Sequence, residues 1–399
     1  MQRQIPIVDG VYWVGVNDRR TTLFESIWPI PQGVSYNSYL ILDEKTVLVD
    51  TVKDYFAPEY LQKVADLLGD RPLDYLVINH MEPDHSGSIT MLRQVYPQVR
   101  IIGNKKTAEY LADLYRIEDN VQTVCDGDSI SLGARKLCFY LTPMVHWPET
   151  MMTFEPTSGI LFSGDAFGSF KALDGGIFDD EINVTTLEDE MLRYFSNIVG
   201  QYSPMVLKAI SKLSGVQLKI IAATHGPIWR QDPGHVVGLY EKWSRHQADL
   251  GVVVAFGSMY GRTESMAEAV ARGLAEGGIE TIRMHNVSVS HPSYVIRDAW
   301  RYRGLIIGSP TYDAGLFPPM ETLLSLLKTK RLADRAVGIF SSHGWAGGAV
   351  PAMKAFVETT KLDLIEPVID AKFRATSEQI EQCHQLGRRM ADQVQQAAQ

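Results

Sequence analysis

The stretch Tyr75-Leu-Val-Ile-Asn-His-Met-Glu-Pro-Asp-His-Ser-Gly87 decides how the first half of the chain is read. Tyr75–Asn79 is a short apolar run, the pattern of a buried strand, and Ser86-Gly87 stands where a helix would begin. Between them lie His80, Glu82, Asp84 and His85, all side chains able to bind a metal. In a strand, successive side chains point to opposite faces, but a turn carries no such rule. Ligands on one turn can therefore converge on one point, whereas a lone histidine is more often a core or surface residue.

Working outward, three more residues share this context of a polar side chain just past an apolar strand. They are His146 in Leu141-Thr-Pro-Met-Val-His-Trp147, Asp165 in Leu161-Phe-Ser-Gly-Asp165, and His225 in Ala223-Thr-His-Gly226. In order, spacing and flanking glycines, the set resembles the metallo-β-lactamase superfamily. The hydrolases of that superfamily carry H-x-H-x-D-H and bind zinc; this chain has Glu82 where their second histidine stands. A carboxylate in place of an imidazole makes the site harder and more anionic, which favours iron. Four histidines and three carboxylates give two metals four ligands each if Asp165 bridges.

The rest of the first 250 residues supports a layered body. Val11–Val16, Tyr39–Leu42, Thr46–Val52, Val99–Ile102, Leu137–Leu141, Ile160–Phe162 and Leu218–Ala222 are strand-like, and Pro58–Leu68 and Thr107–Tyr115 have helical spacing. Thr185-Thr-Leu-Glu188 reads as a capping box opening a helix through Ile198, and Ser203-Pro204 as an N-cap and first helical residue. This order fits a layered α+β or αββα body; the resemblance implies a metallo-β-lactamase-like αββα sandwich over residues 1–250, with a connector at about 232–250. After residue 250, five strand candidates (Gly251–Phe256, Glu280–Met284, Leu305–Ile307, Ala336–Phe340, Leu364–Ile369) alternate with five helix candidates, the last being Ser377–Ala398. Such alternation predicts a doubly wound α/β domain with a five-stranded parallel sheet over residues 251–399.

The first strand of that domain runs into Gly257-Ser-Met-Tyr-Gly-Arg-Thr263 and then a helix, a place where backbone N–H groups and hydroxyls meet phosphate. It lacks the lysine of a nucleotide triphosphate loop. Two later strands end in Gly308-Ser-Pro-Thr-Tyr-Asp-Ala-Gly315 and Ser341-Ser-His-Gly-Trp-Ala-Gly-Gly348, polar loops with an aromatic at the edge where open α/β sheets bind ligands. Residues 251–397 thus resemble the flavodoxin-like domain. That resemblance implies FMN, with Ser258, Met259, Tyr260, Gly261, Arg262 and Thr263 as the phosphate loop. Pro310, Thr311, Tyr312 and Asp313 would flank one side of the ring, and Ser342, His343, Gly344, Trp345, Ala346 and Gly347 the other.

Composition narrows the partners. The 399 residues, 45% hydrophobic and 21% charged, are ordinary globular material and long enough for two or three domains. A formal charge of −9 with no basic block argues against nucleic acid. Cys125, Cys138 and Cys383 form no C-x-x-C pair, which argues against a disulfide framework, a zinc ribbon and a cysteine-ligated iron–sulfur centre, and no fused rubredoxin is expected. Neither an apolar signal core nor a run of about 18 apolar residues occurs, so a cytoplasmic location away from the membrane is expected.

H-x-E-x-D-H followed by His146, Asp165, His225 and a flavodoxin-like domain resembles the flavodiiron proteins over nearly the whole chain. The resemblance implies an oxidoreductase that reduces O2 to water, NO to N2O, or both, at a non-haem di-iron centre fed by FMN. It implies His80, Glu82, His146 and Asp165 on one iron and Asp84, His85, Asp165 and His225 on the other. It also implies an external donor, rubredoxin or reduced coenzyme F420, and a head-to-tail homodimer or a tetramer of such dimers. Trp147 and Tyr194 are candidates for the lining of the diatomic pocket, with plain core aromatics as the alternative. A zinc hydrolase fused to a flavodoxin explains most ligands but gives Glu82 and the flavin no joint purpose, and a pure electron carrier leaves seven ligands unexplained.

Overall fold

The structure, a computed structural model, describes residues 5–396. It divides into two compact units: residues up to Phe195 together with Tyr202–Glu241, and Ser196–Gln201 together with Lys242 onward. The expected boundary at residue 250 falls inside the strand Asp249–Phe256.

The first unit is a sandwich of two mixed sheets. One runs in the spatial order Ile5–Val8, Val11–Trp13, Tyr39–Leu42, Thr46–Val49, Tyr75–Val77, Arg100–Gly103, Val121–Thr123. Its first four strands pair antiparallel and the remainder parallel. The other runs Ser129–Ser131, Lys136–Leu141, Met151–Glu155, Ile160–Gly164, Ile220–Ala223, Ile228–Trp229. Alternation sends Ile41, Val49, Val77 and Ile102 inward to meet Leu137, Phe139, Ile160, Phe162 and Ala222 in one core. Leu40, Leu48, Leu76 and Ile101 point the other way yet are equally buried. That outer face is covered by helices such as Lys105–Tyr115, which packs on the last two strands. This is the αββα arrangement.

Differences from the sequence expectation have local causes. The strand expected over Thr46–Val52 ends at Val49 because Asp50 takes a left-handed backbone, φ 54°. Met151–Glu155 escapes sequence detection because all five residues are buried, so no alternation shows. The expected capping box at Thr185 does not form. Val184–Thr186 is instead a tight turn in which Thr186 Oγ1 donates back to the Asn183 carbonyl; the α-helix spans only Glu188–Tyr194 and loosens into a π-helical turn at Phe195–Val199. Ser203 likewise is not an N-cap: Tyr202 holds that place without a side-chain bond, and the helix runs Ser203–Lys212.

The second unit is a parallel sheet in the order Ile282–Asn286, Asp249–Phe256, Tyr302–Tyr312, Ala336–His343, Asp363–Lys372, with a short antiparallel strand Gly315–Leu316 beside the third. The crossover helices Arg262–Glu276, Pro292–Arg301, Pro318–Thr329 and Ala349–Thr360 and the final helix Ser377–Gln396 complete the doubly wound flavodoxin-like fold. Its third and fourth strands run further than predicted, through Tyr312 and His343, so much of each expected loop is strand. Among the described residues no helix is long and apolar enough to cross a membrane.

One close approach invites a stability test. Gly308 pairs with Phe340 on the neighbouring strand, and a Cβ at 308 would collide with that fully buried ring. Gly308→Ala should destabilise the chain by about 1–3 kcal/mol in guanidinium unfolding, as overpacking does. Phe340→Leu in the same background should restore part of the loss; equal stability of Gly308→Ala and the parent would refute the packing argument.

Candidate metal centre and cofactor cavity

All seven predicted ligands come from the carboxyl ends of strands or the turns beyond them. His80, Glu82, Asp84 and His85 follow Tyr75–Val77, the last two on the single helical turn Pro83–Ser86. His146 lies in the loop between Lys136–Leu141 and Met151–Glu155, while Asp165 and His225 follow Ile160–Gly164 and Ile220–Ala223. A buried carboxylate fixes the first turn: Asp50 accepts from the Asn79 backbone N–H at 2.7 Å and its side-chain amide at 3.0 Å. Asn79 in turn ties the two sheets, its carbonyl accepting from the Met151 N–H and its Oδ1 from Thr153 Oγ1. Burial pushes the Asp50 carboxyl up to about 6, against the pull of the His85 charge and the Asn79 bonds.

The ligand atoms fall into two groups, His80, Glu82, His146 and Asp165 in one and Asp84, His85 and His225 in the other. Asp165 serves both. Its Oδ2 stands 3.0 Å from His146 Nε2 and 3.7 Å from His80 Nε2, while its Oδ1 stands 2.9 Å from His85 Nε2 and 3.7 Å from His225 Nε2. Glu82 Oε2 is 3.2 Å from both His80 and His146. Asp84 Oδ2 is 3.3 Å from His85 and 3.4 Å from His225.

These groups fit metal ions better than one another. The carboxylate oxygens of Asp84 are buried without a hydrogen bond among the described residues, and the His85 and His225 Nε2 atoms approach to 3.1 Å. Two imidazole nitrogens that close share either a proton or a cation. The opposite ring nitrogens are held from behind: His80 Nδ1 bonds Glu149 Oε1 at 2.8 Å, and His225 Nδ1 bonds the Ser35 carbonyl at 2.7 Å. Thr224 Oγ1 donates to Asp165 Oδ1 at 2.6 Å. Such outer partners set the tautomer and aim of metal ligands.

Electrostatics without metal follow from this crowding. Burial alone would lower the histidines, yet the Asp165 and Glu82 hydrogen bonds push His146 up to about 9, and the Asp84 and Asp165 charges push His85 to about 9. His80 is raised by Asp165 and Glu149 in the same way. Glu82 and Asp165 go down, because the histidines beside them outweigh their own burial.

Tyr194 is fully buried and sets its ring edge-on to His225 at 5.5 Å, with no hydrogen-bond partner for its hydroxyl among the described residues. Trp147 is half-buried, 5.3 Å from the His80 ring. A cavity of about 420 Å³ opens on Glu82 and Asp84, walled by Phe24, Tyr36 and Tyr115 among others; neither Tyr194 nor Trp147 lines it.

In the second unit, a cavity of about 620 Å³ sits at the carboxyl edge of the sheet, within the usual range for a cofactor site. Of the predicted residues, Met259, Tyr260, Arg262, Thr263, Pro310 through Asp313 and Ser342 through Ala346 line it; Ser258, Gly261 and Gly347 do not. Gly261, φ 77°, is the N-cap of the helix Arg262–Glu276, and Thr263 Oγ1 lies 2.9 Å from Ser342 Oγ, joining two of the loops. Trp345 is 93% exposed and Tyr260 86%, large rings left facing solvent at the rim.

Residues 34–226 match the family described as ODP family beta lactamase, and residues 254–387 match flavodoxin. The chain is 34% identical to a nitric oxide reductase of Moorella thermoacetica, covering 99% of this chain and 100% of that one. It is 32% identical to an anaerobic nitric oxide reductase flavorubredoxin of Escherichia coli, over 98% of this chain and 82% of the relative. Its fold superposes on rubredoxin oxygen:oxidoreductase from Desulfovibrio gigas with a TM-score of 0.95 at 31% identity, covering 99% and 100% of the two chains. The flavodiiron protein of Giardia intestinalis gives 0.95 at 30% identity, covering 99% and 98%. The chain belongs to the flavodiiron proteins.

Membership brings the cofactors in that family name, a flavin in the flavodoxin domain and two irons in the β-lactamase-like one. The donor set suits iron, being carboxylates and imidazoles without thiolate. The sequence alone does not point to Glu149, Thr224 and Asp50 behind the candidate metal ligands, nor to Ala314, Phe373 and Arg374 in the cavity wall. Phe373 and Arg374 directly follow the fifth strand, so the rule that ligands bind at carboxyl strand ends reaches them. Thr224 adjoins a ligand, but nothing local marks Glu149.

Two tests follow. Glu149→Ala strips His80 Nδ1 of its acceptor and should weaken metal binding about 10–100-fold in chelator competition; unchanged affinity would remove Glu149 from the account. Ligands must be deprotonated to bind metal, and His85 and His146 hold their protons up to about pH 9. Metal uptake by the apoprotein should therefore release protons and tighten as pH rises toward 9, in pH-stat titration; uptake without proton release between pH 6 and 8 would contradict this.

Proposed function

We propose that this chain reduces O2 to water, NO to N2O, or both, at a di-iron centre supplied with electrons by FMN. The observation that carries the reading is the sorting of ligand atoms into two groups about the two oxygens of Asp165. Support comes from whole-length likeness to proteins named for NO and for O2 reduction. We assign His80, Glu82, His146 and Asp165 to one iron, Asp84, His85, Asp165 and His225 to the other, and FMN to the cavity edged by the loops after Phe256, Tyr312 and His343. A zinc hydrolase would leave Glu82 and the flavodoxin unit without a common purpose.

When bound, the irons supply open coordination positions and two electrons and a reduced flavin two more, enough for O2 to two waters and more than two NO need. The chain's own groups do the rest. Asp165 holds the two positions at a fixed spacing, and Glu149, the Ser35 carbonyl and Thr224 keep its partners and itself from turning. Phe24, Tyr36 and Tyr194 surround the His225 ring edge-on at 5.5–5.7 Å, excluding bulk water from that side. Burial and then the Asp84 charge hold the Tyr36 hydroxyl well above the usual phenol range, so this residue of the cavity wall keeps its proton.

The electrons enter from a separate donor, which we take to be rubredoxin or reduced coenzyme F420. We further propose a cytoplasmic, head-to-tail homodimer in which each flavin serves the partner's irons. The deciding experiment is stopped-flow oxidation of the anaerobically reduced protein by O2 and by NO, on material analysed for metal and flavin. Two irons and one FMN per chain with rapid reoxidation by at least one gas is the expected result. Stoichiometric cofactors with neither gas reoxidising the protein would overturn the function; two zincs per chain would restore the hydrolase.

A further inference from the structure

In the flavodoxin unit the cavity residue His343 is paired with a carboxylate that does not itself line the cavity, Asp370. His343 closes the strand Ala336–His343 and lines the cavity; Asp370, two residues before the end of the adjacent strand, does not. Ser341 pairs with Asp370 and His343 with Lys372, so His343 and Asp370 are diagonal neighbours on one sheet face. Their side chains meet, His343 Nδ1 lying 2.9 Å from Asp370 Oδ1 with the imidazole only 19% exposed. The backbone is pinned at the same place, the Phe373 N–H donating to the His343 carbonyl at 2.6 Å.

The returning loop covers this pair. A Cβ on Gly347 would stand 3.3 Å from Asp370 Oδ2 and 3.8 Å from His343 Cγ. Gly347, absent from the cavity wall, thus packs behind the imidazole and carboxylate instead. A histidine whose Nδ1–H is given to a carboxylate has its ring orientation fixed and leaves Nε2 for a ligand.

We propose that His343 contacts the flavin ring as a hydrogen-bonding group, that Asp370 is its positioning residue, and that together they raise the flavin's reduction potential. Two electrons and one proton leave one negative charge on a flavin ring, and a proton taken up from solvent at Nε2 of the carboxylate-backed imidazole makes that nitrogen a donor, which stabilises the charge by a charge-assisted bond. Arg262, Arg374 and Asp313 also line the cavity and stay unchanged in the variants below, so the difference reports the histidine pair.

The inference rests on FMN occupying this cavity, and the test separates the two. Dissociation constants of oxidised and reduced FMN are measured on the full-length apoprotein of the parent, His343→Phe, His343→Gln and Asp370→Asn. The parent should bind FMN one to one. In His343→Phe the ratio of reduced to oxidised constants should rise about tenfold, equivalent to a fall of about 30 mV in the two-electron potential. Asp370→Asn should move the ratio the same way by less, with oxidised FMN held within threefold of the parent. If His343→Phe loses FMN altogether, His343→Gln, which retains a donor, should bind it with a ratio above the parent's by less than tenfold. A parent that binds no FMN would overturn the cavity assignment itself. Parent-like ratios in the histidine variants, or in Asp370→Asn alone, would overturn the pair while leaving FMN in place.

Discussion

A single buried carboxylate, Asp165, organises the amino-terminal unit. Each of its oxygens faces a different group of ligands, so the distance between those groups is set by the width of one carboxylate rather than by the reach of flexible side chains. Burying four histidines and three carboxylates together is tolerable only if their charges compensate, by protons in the metal-free protein and by cations in the loaded one. The raised His80, His85 and His146 and the depressed Glu82 and Asp165 are the signature of that compensation.

The scaffold meets this demand by ending strands early. Asp50 turns left-handed after Val49, and its carboxylate seizes Asn79 just as the neighbouring strand finishes at Val77. Freed from the two-residue alternation, the chain can aim His80, Glu82, Asp84 and His85 inward from one turn. The flavodoxin unit uses its strand ends in the same way. Its third and fourth strands run on into the cavity wall, carrying Tyr312 and His343 on strand backbone, while the exposed Trp345 stands on the loop beyond at the rim.

Most of the ligand set was legible in the sequence because its residues announce themselves chemically and sit beside apolar runs or glycines. His80 through His85 form a local cluster; Asp165 and His225 follow the apolar strands Ile160–Gly164 and Ile220–Ala223, and His146 lies in the loop beyond Lys136–Leu141. The parallel sheet was legible for a similar reason, since buried strands alternating with amphipathic helices admit few topologies. The strand Met151–Glu155 was not, because burial on both faces erases alternation. The false capping box at Thr185 shows the converse, a local motif overruled when Thr186 found the Asn183 carbonyl instead.

What the sequence alone determined is therefore the inventory: which side chains can bind metal, which loops can hold phosphate and a flat ring, and which elements carry them. Only the tertiary structure decided the pairings. That Asp165 divides its oxygens between two groups, that Glu149 stands behind His80 from 69 residues away, and that Asp370 holds His343 from the next strand all depend on contacts between distant segments. Local propensity carries no record of such contacts. Sheet register and the packing of one layer on another create them, and those are properties of the folded chain as a whole.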